Sequence, residues 1–437
     1  MARTGARLAG QSGQPVVRSG TCPDQPTECT CFWDLYCLVV TDTPATTPSE
    51  PVTRQRITII GGGVIGLTTA LVLARRARAT GHEYNIQVLE REPRLGSQST
   101  TAAGCGLRTV YRHPVNIDLA RKGLQFWANA GALFNGDIGF RRNGYLFLTA
   151  NSETAATLER ETTRQVAIGA PAEYDTPPVV PDVAPALNAG EYTASLFSSN
   201  AALATPQKIV DTVATAAAEA GVELRTDTAV TNLTPHDKGV TVEADGESEH
   251  ADVMINATGA WADKIAGLAG ETLPITADRR RLAVLDTSIS SDAPLMVDID
   301  TGMFMLPRED GKVYAGGKFR SEAGQTDPDD PAAFTTEVDN EYIDRLKTHG
   351  RQLYEPLDDA TVIESWSGLY AMTDSHVPII DRSRNMIHAT GFSGHGIMQA
   401  PGAAMLIARM LDPGQTATQP LATLSRDRTV TTPDIQW

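Results

Sequence analysis

Three glycines, Gly61, Gly63 and Gly66, follow the β-branched run at residues 56–60 with the spacing G-x-G-x-x-G. That pattern suits the binding of a pyrophosphate. The first glycine permits a tight turn, the second lets backbone approach the phosphates, and the third lets the next helix pack on the strand. Val64 and Ile65 would occupy the first turn of that helix, whose unsatisfied N–H groups point at the anion. A carboxylate-bearing position completes the pattern. Glu90 ends the strand-like stretch "NIQVLERE", followed by Arg91, at roughly the 20-residue separation a ribose-binding acid requires. A carboxylate there accepts hydrogen bonds from ribose hydroxyls and repels a 2′-phosphate, so FAD or NAD fits better than NADP.

The elements needed to position these groups are legible around them. Residues 56–60 suit a buried parallel strand. The following helix carries Leu67, Ala70, Leu71 and Ala74 on one face, and Arg75, Arg76 and Arg78 near its negative pole. The chain then returns twice to similar patterns. "TPQKIVDTVATAAAEAGVELRTDTAVTNL" predicts a helix, a strand and a further strand around Val230. "ADVMINATGAWADKIAGLAG" predicts a buried strand at 253–256, a small-residue turn through Thr258 and Gly259, and a helix from about Trp261. Near the end, a strand at 386–389 runs into "GFSGHG" and then a helix from about Ile397. Gly391, Gly394 and Gly396 free backbone N–H groups at that helix N-terminus, which is again an anion site. An NAD dehydrogenase normally has a contiguous nucleotide domain. Here the nucleotide-type segments are scattered, which favours FAD.

"NATGAW" and "GFSGHG…APG", in this order after the glycine fingerprint, resemble the D-amino-acid-oxidase-like FAD-dependent oxidoreductases. That superfamily includes sarcosine, glycine and D-amino acid oxidases and the dimethylglycine dehydrogenases. The last motif is most similar to the sarcosine oxidase β-subunit group and to FAD-dependent oxidoreductase domain proteins. The resemblance spans roughly residues 56–412. It implies an α/β fold: a Rossmann-like FAD-binding domain interleaved with an antiparallel-sheet (α+β) substrate domain. We expect the first to comprise 56–113, 201–271 and 356–437, and the second 114–200 and 272–355. Cofactor contacts are expected from Gly61, Gly63, Val64, Ile65, Gly66, Glu90, Arg91, Thr100, Thr101, Val230, Thr258, Gly259, Trp261, Gly394, His395, Gly396 and Ile397.

The resemblance further implies oxidation of a C–N bond by hydride transfer to flavin N5. The substrate would be a small amine or amino acid, with electrons passing to O2 or another acceptor. A 2-hydroxy acid dehydrogenase and a non-catalytic FAD-binding assembly factor remain alternatives. A cation is needed to hold a substrate carboxylate so that its C–H faces the ring. Arg108 in "GCGLRTVYR" is the first candidate, with Arg112 weaker. Lys312 and Lys318 flank "VYAGG", in the region from which a lysine reaches the flavin in monomeric sarcosine oxidases. His395 lies in the flavin loop, and Tyr370, Thr373 and His376 lie in "GLYAMTDSHVPIID". Relatives that link FAD covalently carry a histidine where this chain has Thr101, or a cysteine where it has Gly368. Cys105 matches neither site. Non-covalent FAD is therefore expected, and no metal.

Composition restricts the partners. The chain has 437 residues and 53 Asp+Glu against 37 Lys+Arg, for a net charge of −16. Such a balance disfavours nucleic acid or an anionic membrane, both of which need concentrated basic charge. With seven lysines, the composition fits either a protein kept soluble at high salt or an ordinary acidic enzyme. No window is apolar enough for a membrane span. Residues 1–55 hold four of the five cysteines at spacings that fit neither a zinc ribbon nor a redox pair, and are expected to be a disordered extension. The body holds only Cys105, which suits a reducing cytoplasm. A homo- or hetero-oligomer is open.

Overall fold

The computed structural model describes residues 54–287, 289–319, 330–357, 359–412 and 419–430. The extension expected over 1–55 lies almost wholly outside the described residues. Buried β-branched residues open the chain as β1 (Gln55–Ile60), which turns through the glycines into α1 (Val64–Thr80) and returns as β2 (Tyr84–Leu89). There follow β3 (Gly106–Leu107), α2 (Pro114–Ala128), α3 (Ala130–Phe134), β4 (Tyr145–Thr149), α4 (Ser152–Ala167), β5 (Glu173–Asp175), β6 (Ala194–Ser198) and β7 (Ala202–Leu203). The middle comprises α5 (Pro206–Glu219), β8 (Glu223–Arg225), β9 (Val230–His236), β10 (Gly239–Ala244), β11 (Glu247–Ala251), β12 (Val253–Asn256) and α6 (Ala262–Leu268). The rest is β13 (Thr276–Asp286), β14 (Leu295–Asp298), β15 (Met303–Pro307), β16 (Val313–Gly317), α7 (Asn340–Leu353), β17 (Thr361–Met372), β18 (Ile379–Ser383), β19 (Met386–Thr390), α8 (Gly396–Met410) and α9 (Gln419–Leu424).

Two large sheets organise these elements. A six-stranded sheet has the order β18-β19-β12-β1-β2-β8, parallel except for the antiparallel edge strand β18. Its carboxyl ends place the turns after β1, β12 and β19 side by side, the arrangement in which open α/β sheets bind ligands. The parallel strands read as continuous apolar runs because helices cover one face and the small sheet β11-β10-β9 the other. An eight-stranded mixed sheet, β17-β13-β16-β15-β14-β4-β6-β5, forms the second layer system. Its strands pair antiparallel except for β14 with β4.

Two segments near the expected boundaries show where they pack and pair. The helix α2 was expected in the second domain, but it joins the apolar core of α1, α5 and α8. Gly123 and Gly402 permit this: a Cβ at Gly123 would lie 1.7 Å from the Met398 carbonyl oxygen, and one at Gly402 would lie 2.7 Å from that of Leu119. Trp127, buried in the same seam, donates from Nε1 to the Ile397 carbonyl at 2.8 Å. Conversely, β17 was expected in the nucleotide-binding part, yet it pairs along β13 from Thr276↔Met372 to Asp286↔Thr361. A long edge strand hydrogen-bonds where its backbone donors find partners, whatever segment follows it. Among the described residues no helix is long and apolar enough to cross a membrane.

Candidate functional site

Between the two large sheets lies a cavity of about 1080 Å³. Ligand sites for drug-sized molecules span roughly 300–1,000 Å³, so there is room for a dinucleotide and a small second molecule.

At one end the glycine turn has the geometry its sequence requires. Gly61 has φ +107°, and a Cβ there would lie 2.6 Å from the Ala257 carbonyl oxygen. Gly66 does not line the cavity; a Cβ on it would sit 1.9 Å from the Gly61 carbonyl oxygen, so this glycine lets α1 close on β1. Glu90 is fixed by its neighbours: Gly62 N–H donates to Oε2 at 2.7 Å and Glu92 N–H to Oε1 at 3.0 Å. Val64 N–H donates to Thr100 Oγ1 at 3.1 Å, so Thr100 ties the first turn of α1 to the loop beyond β2. Thr101 differs from its expected role. It donates from Oγ1 to the Gly96 carbonyl at 2.9 Å and does not line the cavity. Val230, Thr258, Gly259 and Trp261 do line it, with the Arg91 guanidinium 4.2 Å from the Trp261 ring centroid. Trp261 Nε1 is a buried donor with no partner among the described residues.

The other end is built by the loop before α8. Gly391 (φ +69°) and Gly394 (φ +83°) wrap it around Tyr370, whose ring a Cβ at Gly394 would meet at 2.2 Å. Three residues without glycine's freedom also hold positive φ on this cavity: Cys105 (64°), His376 (56°) and Ser393 (51°). Such conformations cost about 1–3 kcal/mol each and concentrate where surrounding structure forces them, commonly at functional sites.

His395 caps α8 and is buried, with Nδ1 unpartnered among the described residues and Nε2 3.4 Å from Arg108 Nη2. Burial, reinforced by Arg108, holds its pKa well below the ordinary histidine value. Burial also pushes His376 down to about 4, with Arg280 adding to the effect. Both rings are therefore neutral near pH 7. Tyr370 is shifted up by burial and is protonated there as well.

Arg108 is only 6% exposed. Its guanidinium donates to the Val110 carbonyl and stacks 4.3 Å from the Tyr111 ring centroid and 5.6 Å from that of Phe147. From the eight-stranded sheet, Lys318 Nζ donates to Asp278 Oδ1 at 2.8 Å, and Arg280 pairs with Oδ2 of the same carboxylate. Arg280 also lies 5.2 Å from the Tyr370 ring centroid. Arg108, Lys318, Tyr370 and His395 line one cavity. Lys312 does not: it lies in the β15–β16 turn, while Lys318 follows the other end of β16, about 20 Å away at ~3.3 Å per residue. Arg112 is also elsewhere, 3.7 Å from Glu161, and Thr373 donates internally to the Val377 carbonyl at 2.8 Å.

Asp278 and Arg280 were not anticipated, nor was the aromatic wall of Tyr145, Phe147 and Phe304. The signal for the first two was available in strand alternation. Residues 278, 280 and 282 share one face of β13 and all line the cavity.

Known proteins agree with this architecture. A family model described as FAD dependent oxidoreductase matches residues 56–410. The chain is 26% identical over 426 residues to FAD-dependent oxidoreductase domain-containing protein 1 of Xenopus laevis, covering 86% of this chain and 82% of that one. It is 24% identical over 377 residues to the glycine oxidase of Geobacillus kaustophilus, covering 83% and 94% respectively. Its fold superimposes on L-proline dehydrogenase from P. horikoshii with a TM-score of 0.76 at 24% identity, covering 85% of this chain and 97% of that one. The chain belongs to the FAD-dependent oxidoreductase family. Its residues fit the cofactor: a glycine turn at a helix N-terminus, an acid held beside it, an unpartnered indole donor, and a second helix N-terminus at the far end of one continuous cavity.

Proposed function

From membership of the FAD-dependent oxidoreductases, we propose that this protein oxidises the C–N bond of a small amine or amino acid. The observation that carries the reading is Arg108, a buried cation facing the same cavity as Tyr370, His395 and the glycine loop. FAD, when bound, supplies a hydride acceptor. The chain's own residues supply orientation. Arg108 can take a substrate carboxylate in a two-pronged hydrogen bond. Neutral His395 and the Tyr370 hydroxyl offer polar contacts without competing for that anion. The N-terminus of α8 provides positive potential beside the reacting region. Lys318, pinned by Asp278, is a second cation at this end. The relatives named glycine oxidase and L-proline dehydrogenase support the substrate class. The imine product hydrolyses in water, and electrons leave to O2 or another acceptor.

The test is anaerobic mixing of the purified yellow protein with a panel of sarcosine, glycine, D-amino acids, proline and 2-hydroxyglutarate. Bleaching by an amine and not by the hydroxy acid is expected. Bleaching by the hydroxy acid alone supports a 2-hydroxy acid dehydrogenase, and bleaching by none supports a non-catalytic FAD-binding protein.

FAD is held without a covalent bond in this reading. Thr101 and Gly368 offer no nucleophile of the linking kind. Burial pushes the Cys105 thiol up to about 12, so its thiolate is scarce at neutral pH. Acid precipitation is expected to leave all yellow colour in the supernatant; a yellow pellet contradicts this.

A further inference from the structure

We propose that Arg426, in the C-terminal segment, positions the FAD-binding turn after β12 through a buried hydrogen-bond relay of Glu271, His388 and Asn256. Asn256 ends β12 and is fully buried. Its Oδ1 accepts from Thr258 Oγ1 at 2.7 Å and from Thr258 N–H at 3.3 Å, while its Nδ2 donates to the Ala262 carbonyl at 2.8 Å. One side chain thus holds both sides of the turn that carries Thr258, Gly259 and Trp261 into the cavity.

The same Nδ2 lies 3.2 Å from Nδ1 of His388, its partner in the β12–β19 register. Because the Asn256 amide donates, Nδ1 must accept, and the imidazole hydrogen sits on Nε2. Nε2 lies 3.1 Å from Glu271 Oε2, which also accepts from Arg426 Nη1 at 2.6 Å. Arg426 is further held by Asp381, its Nε donating to Oδ2 at 2.6 Å. The relay works only while His388 is neutral. Burial first, then the Arg426 charge, holds its pKa below the ordinary value, while Glu271 and Asp381 pull the other way. Burial would raise Glu271, but hydrogen bonds from Ser383 and Arg426 outweigh it and keep the carboxylate ionised.

Removing Arg426 leaves burial alone to oppose the pull of Asp381 and of Glu271, which still accepts the Ser383 hydrogen bond, so His388 takes a proton on Nδ1 at a higher pH than in the intact protein. A protonated Nδ1 opposes the Asn256 Nδ2 donor. Rotating the amide sets its oxygen against the Ala262 carbonyl, so either orientation loses a buried hydrogen bond.

The test is the dissociation constant of FAD, read by flavin fluorescence on release from the holoprotein, at about pH 8 and about pH 6, either side of the ordinary histidine pKa. Wild type is expected to hold FAD nearly equally at both. Arg426→Gln is expected to loosen it about tenfold more at the lower pH, the equivalent of one buried hydrogen bond lost. Arg426→Lys retains the charge and should restore pH-independent binding. Glu271→Gln removes the group that favours protonation and should show no acid loosening. Two results overturn the proposal: Arg426→Gln with wild-type affinity at both values, or equal loosening at both that lysine does not rescue, which marks packing alone. If Arg426→Gln does not fold, acid loosening in Arg426→Lys or in Glu271→Gln overturns it, and its absence from both supports it.

Discussion

Replacing Gly61 with valine is expected to give a colourless protein, with affinity for FAD reduced by more than about a hundredfold. Gly61 sits at φ +107°, where an L side chain is strained, and its Cβ would lie 2.6 Å from the Ala257 carbonyl oxygen. Backbone, not a flexible side chain, is what the new carbon meets. Either the β1 turn or the β12 turn must move, and both border the pyrophosphate site. A branched residue in such a conformation costs about 1–3 kcal/mol before any clash is counted. Displacing the turn from the phosphates adds the loss of charge-assisted hydrogen bonds, each roughly twice as strong as a neutral one. Fluorimetric titration of the apoprotein checks the result. Wild-type affinity in the valine variant would mean that the pyrophosphate is not bound at this turn.

The second large effect is expected at Arg108. Arg108→Met is expected to retain FAD and to lower kcat/KM for a carboxylate-bearing substrate by about 10²–10³. Truncating one partner of a buried, hydrogen-bonded charge pair costs about 2–5 kcal/mol, and each ~1.4 kcal/mol is a factor of ten. The loss should be far smaller for an amine lacking the carboxylate, because the cation serves to orient that group. Stopped-flow bleaching with matched substrates measures both. An equal loss for both substrates would assign Arg108 to holding Tyr111, Phe147 and His395 in place.

The parts of this site that could be read from sequence are those where chemistry demands one residue type at one place. Gly61 and Gly66 tolerate no Cβ, and Gly394 closes on a tyrosine ring, so two turns announce themselves. Glu90 could be found because strand length fixes its distance from the first turn. Lysines carry no such demand. Lys312 and Lys318 flank the same short strand, and which end faces the cavity depends on the direction of β16 in an eight-stranded sheet. Thr100 and Thr101 are likewise adjacent and chemically alike, yet only the first reaches the turn. Asp278 and Arg280 were obscured because "DRRR" has the composition of a solvated strand end. Tertiary pairing with β17 is what brings them inside. The packing of α2 was hidden for a related reason: a helix shows its apolar face in sequence, but not which core that face joins.

The central claim is that the C–N bond of an amine is oxidised to an imine in step with reduction of the bound flavin, the imine then hydrolysing in water. A single anaerobic turnover, with bleaching followed at the flavin band and released ammonia or primary amine assayed in the same sample, tests it most directly. For an acyclic substrate the account predicts one equivalent of amine for each equivalent of flavin bleached, with the matching carbonyl compound in solution. Bleaching by a 2-hydroxy acid with no amine released, or no bleaching by any amine, would contradict it.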